Sequence, residues 1–228
     1  MIKKLSLFAF AFLFSLVVFS QDSSNVSTSE KGKFTLEGQI NPNFNGGNWF
    51  GSVGIRFRYF MKPNRALRIS YNPYFYSETE KYPENTDGTG DVGTVKNTTS
   101  RQSFAFAYEY HLGKNQKFSP YVGGGVSITF INDKEKSTDV LFGQYEANYN
   151  SSYKQNTFGW GLFAMAGFDW YVMSNMYLGL ELGLGFNANY EGKMKITATD
   201  QDDYEYPGGS NARFGTNYNG GVRIGWRF

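Results

Sequence analysis

The stretch that most limits what this chain can become is its last seventeen residues, 212–228. In steps of two, one face carries Phe214, Thr216, Tyr218, Gly220, Val222, Ile224, Trp226 and Phe228. The other carries Arg213, Gly215, Asn217, Asn219, Gly221, Arg223, Gly225 and Arg227. Successive side chains of a strand point to opposite faces, so this is one strand with a greasy and a polar side. It ends on an aromatic, and the expectation is that no further domain covers the greasy side.

The same rhythm recurs upstream. Phe34, Leu36 and Ile40 alternate with Thr35, Glu37 and Gln39, and Val53, Ile55, Phe57 and Tyr59 alternate with Gly54, Arg56 and Arg58. Leu67, Ile69, Tyr71 and Phe75 face away from Arg68, Ser70, Asn72 and Tyr74, with Pro73 predicting a bulge or fraying. Four more runs follow, around Phe104–Tyr110, Val122–Phe130, Phe158–Trp170 and Leu178–Phe186. Together they predict an all-β, closed antiparallel up-and-down transmembrane barrel of about eight strands. Short turns are expected at 62–64, 111–117 and 173–175. Longer polar loops are expected at 77–99, 132–155 and 191–211, with a short Asn/Gly loop at 41–48. Short turns on one side and long loops on the other suit periplasmic and external ends.

Volume decides between a membrane barrel and a soluble cup. An eight-stranded barrel has room inside for little more than packed side chains. The Gly, Ala and Ser side fits there and the Phe, Leu, Tyr and Trp side does not. The greasy side therefore faces out, where lipid can cover it. Mean hydropathy of −0.46 excludes a helical membrane protein but not a barrel, in which alternate residues face lipid. Aromatics, 19% of the chain, collect toward strand ends: Tyr59, Tyr110, Trp170, Trp226 and Phe228 at one rim, Phe75, Phe130, Phe158 and Phe186 toward the other.

Residues 1–20 read as a signal peptide, with Lys3 and Lys4 before an apolar run and cleavage expected before Gln21. Residues 21–32 read as a disordered lead-in, and 33–228 as the barrel. The formal net charge of +2 falls to neutral without Lys3 and Lys4, so nothing favours nucleic acid. Cys is absent, which removes disulfides, thiolate metal sites and a lipoprotein anchor.

The closing run Tyr218, Val222, Ile224, Trp226 and Phe228 resembles the last strand of bacterial outer-membrane β-barrels. With the alternation from Phe34 onward, the chain is similar to the OmpA-like and opacity-protein-like outer-membrane barrel family. That resemblance implies an outer-membrane location in a Gram-negative envelope. It also makes the terminal aromatic strand a signal for the assembly machinery. The expected partners are outer-membrane lipid, that machinery and an unidentified extracellular partner of the loops.

The inward charges form the candidate site: Glu37, Arg56, Arg58, Arg68, Glu109, Asp169, Glu181, Arg223 and Arg227. Charges in a narrow lumen must be paired or hydrated. They read first as a structural plug and second as a charged constriction of a narrow channel. Neighbouring strands predict a network centred on Glu37, Arg56, Arg223 and Glu181. His111, the single histidine, is expected in a surface turn, which argues against the lipid-modifying enzymes and proteases built on similar barrels. Asp200, Asp202, Asp203 and Glu205 read as a solvated acidic loop before a calcium site. Tyr145, Tyr149, Tyr153, Tyr204 and Tyr206 suit an adaptable contact surface. The reading is a non-enzymatic barrel anchoring surface loops for envelope integrity or surface contact, with no cofactor. A narrow porin-like channel and a lipid-modifying enzyme are the alternatives.

Overall fold

A computed structural model describes residues 33–41, 52–85, 87–112, 117–217 and 222–228. The signal-peptide and lead-in expectations, the 41–48 loop beyond Asn41, and Tyr218 of the closing run lie outside these residues.

Eleven strands make one antiparallel sheet: β1 Phe34–Asn41, β2 Ser52–Lys62, β3 Arg65–Pro83, β4 Val92–His111, β5 Phe118–Leu141, β6 Gln144–Tyr171, β7 Met176–Glu191, β8 Met194–Ala198, β9 Tyr204–Tyr206, β10 Ser210–Asn217 and β11 Val222–Arg227. β1 pairs with both β2 and β11, and β7 with both β6 and β11, which closes a ring of eight. Each side chain's face is therefore fixed twice over, because a slip at one seam would turn every residue at the other.

The exterior is apolar. Ile55, Leu162 and Leu182 are 51%, 51% and 76% exposed, and Phe57, Ile69, Phe106, Val126 and Leu184 share that face. Ring contacts run around both rims, such as Phe34 with Tyr59 at 5.1 Å and Phe130 with Phe158 at 5.6 Å. A surface of this kind is stable only against lipid, and the closed ring leaves no strand edge inside it.

The long connections at 77–99 and 132–155 are not irregular loops. β3 and β4 pair without a register shift as far as Pro83↔Val92, and β5 and β6 pair as far as Leu141↔Gln144 with one shift between Thr138 and Val140. β6 has 28 residues, where about 10 suffice to cross a bilayer. Their Thr, Tyr, Val and Ile positions have strand propensity, and pairing satisfies the backbone on one side while water serves the face. Residues 191–211 likewise hold β8 and β9, which extend the same sheet from β6.

The closing stretch differs too. β10 pairs with β7 from Ser210↔Tyr190 to Asn217↔Gly183, and β11 resumes at Val222↔Leu180. The closing chain gains two residues on β7 between these ladders, and an even gain keeps its greasy face outward. Pro73 sits opposite Gln102 with no shift in the β3–β4 register. It lies beyond Ile55↔Tyr71, where the described β2–β3 ladder ends, so its missing N–H has an unpaired side to occupy.

Candidate functional site

All nine inward charges named above are buried, with Arg58, Glu109, Asp169 and Arg223 at 0% exposure. Alternation places them there, and glycine makes the space. Glu109 lies opposite Gly123, Asp169 opposite Gly179, Glu181 opposite Gly167 and Glu37 opposite Gly225. A Cβ on Gly179 would stand 2.4 Å from Arg223 Nη2, and one on Gly225 would stand 2.1 Å from the Tyr177 ring. The inner-face glycines are thus the volume that charged and aromatic side chains fill.

Four carboxylates and four guanidiniums interlock. Glu37 meets Arg58 and Arg223 at 2.9 Å and Arg56 at 3.5 Å. Glu109 meets Arg58 at 2.9 Å and Arg68 at 2.8 Å. Asp169 meets Arg58 at 2.5 Å and Arg223 at 2.9 Å. Glu181 meets Arg68 at 2.6 Å and Arg56 at 3.2 Å, and accepts a 2.5 Å hydrogen bond from the Tyr121 hydroxyl. The formal charge of the eight is zero. Arg58 Nε lies between Glu37 and Glu109 without hydrogen-bond alignment to either, so charge and distance make those two contacts. Arg227 donates to the Ser174 carbonyl at 2.9 Å and lies over the Tyr171 ring at 5.7 Å.

The partners differ from those that strand neighbours suggest. Among the described residues Glu181 makes no ion pair with Arg223; it reaches across the bore to β2 and β3, and Arg223 turns to Asp169. Arg58, outside the predicted centre, is the hub, with three carboxylates around it. The bore is narrow enough that side chains from opposite walls meet. Only tertiary geometry supplies that contact, because β2 and β6 share no ladder. Tyr121, which sequence reasoning left without a role, stacks beneath Arg58 and Arg223 at 5.0 and 5.4 Å.

His111 is not a surface turn residue. It is the last residue of β4, 3% exposed, with its backbone N–H donating to the Asn64 carbonyl at 2.9 Å. Its Nδ1 lies 2.7 Å from Ser119 Oγ and its Nε2 3.5 Å from Glu109. Phe60 and Tyr121 flank the ring at 5.3 Å each. The odd-numbered series Ala105, Ala107, Glu109 carried this signal, since His111 continues the inward face. Ser, His and Glu do come together, but Ser119 is 1% exposed and the network's arginines pack over Glu109, so no substrate reaches the hydroxyl.

In the closing run, Ile224 and Phe228 face out at 45% and 55% exposure and Trp226 is half-buried. The Phe228 N–H donates to the Phe34 carbonyl at 2.9 Å, and Val222 pairs with Leu180. In the 191–211 segment, Glu205 bonds Lys193 and Lys195 at 2.8 and 3.1 Å.

No family model matches the chain, and no curated protein does. Solved structures are similar in fold. Against the outer membrane protein OprG from Pseudomonas aeruginosa the TM-score is 0.49 at 13% identity, over 90% of this chain and 99% of that one. The N-terminal barrel domain of OprF from the same organism gives 0.41 at 14%, over 87% and 98%. The attachment invasion locus protein Ail of Yersinia pestis gives 0.35 at 15%, over 87% and 99%. At these identities the likeness is one of fold alone. The chain's own closed ring of eight strands and lipid-facing exterior make it an outer-membrane-type β-barrel.

Proposed function

We propose that this protein is a non-enzymatic barrel of the outer membrane whose sealed bore serves as an anchor for a β-sheet held outside the cell. Residues 1–20 are removed on export, and the closing strand with Phe228 is read by the assembly machinery. The observation that carries this reading is the network of eight buried charges across the bore. It fills the lumen with partnered groups, and opening a path would leave several of them uncompensated. The strands that overrun the bilayer support the role in surface contact. At the β5–β6 tip, Phe142 and Gly143 take positive φ of 50° and 76°, and the Phe142 ring is 97% exposed. A bulky side chain there gains nothing within the chain, which suits contact with an outside partner.

Planar-bilayer recording tests the anchor. The purified barrel is expected to give no conductance steps above baseline. Discrete steps that change size in Arg58→Ala would replace the anchor with a narrow channel. Cysteines placed at Phe142 are expected to react with an impermeant reagent on intact cells.

A further inference from the structure

Above the lipid-facing belt, the outer face of β3–β6 and β8 carries Lys81, Lys96, Lys134, Lys136, Lys154 and Lys195, all exposed. Of the carboxylates on the same strands, Glu78, Glu80, Asp133 and Glu135 lie on the opposite face. The parity is set by the ladders, since Tyr71↔Phe104 and Phe130↔Phe158 are lipid-facing pairs of the same registers. Three cross-strand pairs are lysine on lysine: Lys96↔Lys136, Lys134↔Lys154 and Lys154↔Lys195. Like charges directly opposite destabilise a sheet. Among the described residues Lys96, Lys134, Lys136 and Lys154 have no carboxylate partner within ion-pair distance, whereas Lys195 has Glu205.

Directly below them the outer face holds a groove of about 450 Å³. Ser100, Asn132 and Asn156 form one cross-strand row of its lining, and Gln102, Phe130, Phe158 and Tyr190 form the row next to it on the bilayer side. Lys134 and Lys154 are each the next outward residue beyond Asn132 and Asn156. From the bilayer upward, the face therefore reads aromatic, then amide, then ammonium. Acyl chains match the first band, sugar hydroxyls and amides the second, and phosphates the third. Phe130 and Phe158 of its lining belong to the lipid-facing exterior, which favours a lipid over a soluble anion as the occupant.

We propose that this face binds a phosphorylated glycolipid of the outer leaflet. Its phosphates sit on Lys96, Lys134, Lys136 and Lys154, and its sugars in the Gln102–Asn132–Asn156 groove. The inference rests on the barrel standing in the outer membrane with these strands outside. Juxtaposed lysines thereby become favourable only when the lipid is present.

Native mass spectrometry and thermal unfolding in neutral detergent test it, with bisphosphorylated lipid A as the probe. The wild-type barrel is expected to retain the lipid and unfold at higher temperature with it. K96S, K134S, K136S and K154S, alone and combined, are expected to weaken retention roughly fivefold per lysine at low salt. The corresponding arginine variants are expected to keep it. Without lipid, the serine variants are expected to unfold no lower than wild type, because repulsion is relieved. Equal retention by the combined variant would overturn the proposal. So would equal binding of dephosphorylated lipid A, or equal protection by inorganic phosphate or a heparin fragment at matched phosphate or sulfate concentration. Heat-modifiable gel mobility reports folding separately; its loss in the wild-type protein would overturn the barrel reading instead.

Discussion

β4, β5 and β6 run through two regions that handle charge in opposite ways. In the membrane half, carboxylates and guanidiniums share the inner face and the outer face is apolar. In the outer half, both faces are polar, with Asp133 and Glu135 inside and Lys96, Lys134, Lys136 and Lys154 outside. The strands and registers are continuous across the boundary. What changes is the solvent. Inside the membrane a charge has only another charge to turn to, so the two signs must interlock within one narrow bore. Outside, water screens each group, and the signs can be separated to serve two different surroundings. The same alternation thus yields an interlocked charge network below and a two-sided sheet above.

The sharpest way to break this contrast is Arg58→Ala. It takes one partner from each of Glu37, Glu109 and Asp169 and leaves the buried network one positive charge short, so a cost of about 3–5 kcal/mol is expected, less where lumen water enters. Urea unfolding from lipid vesicles measures it. A loss no larger than that of Arg227→Ala, which gives up the Ser174 carbonyl and the Tyr171 ring but no carboxylate of the network, would mean that the bore is hydrated and the network loose.

Next comes coupling. Glu37→Ala and Arg56→Ala together are expected to cost less than the sum of the singles, by ~0.5–3 kcal/mol. Strict additivity would show that the two groups are not coupled.

Gly179→Ala adds a Cβ against Arg223 and Asp169 and is expected to cost ~1–3 kcal/mol by overpacking. The same change at Gly38, where a Cβ meets nothing within 4 Å, is the control. Equal effects of the two would remove glycine's role as reserved volume.

Phe228→Asp should leave stability of the refolded barrel little changed while lowering the assembled yield in cells. Normal yield with intact export would count against the closing strand as an assembly signal.

The smallest effect is expected in the outer half. The hydrogen bond from Lys193, then that from Lys195, holds the Glu205 carboxyl below the ordinary glutamate range. A depressed folded value means the contribution is present above the unfolded pKa and lost as pH falls through the folded one. The protection factors of the Ile196 and Tyr204 amides, which pair across β8–β9, should therefore fall in acid once the intrinsic slowing of exchange is divided out. Glu205→Gln should remove that dependence. Protection factors that stay flat with pH in wild type would sink the link.

How much of this was legible depends on period and distance. The two-residue alternation alone assigns Glu37, Arg58 and Asp169 to one face, because a strand has only two faces and the greasy one exceeds any interior. It also marks where lipid must be. The extent of the strands was harder to read. Residues 77–99 and 132–155 lack apolar alternation, and pairing in water does not require it, so they read as loops. His111 was misread for a related reason: the Gly and Lys residues after it suggested a turn, while its parity already continued the inward series. The partners inside the bore were beyond sequence altogether. Arg58 and Asp169 are separated by 111 positions, and no shared ladder brings them together. Which opposite walls touch depends on the barrel's closure and on glycines that give up volume, and both are properties of the closed ring. The chain's alternation alone therefore determined which face each charge occupies, whereas tertiary structure decided which charge it meets.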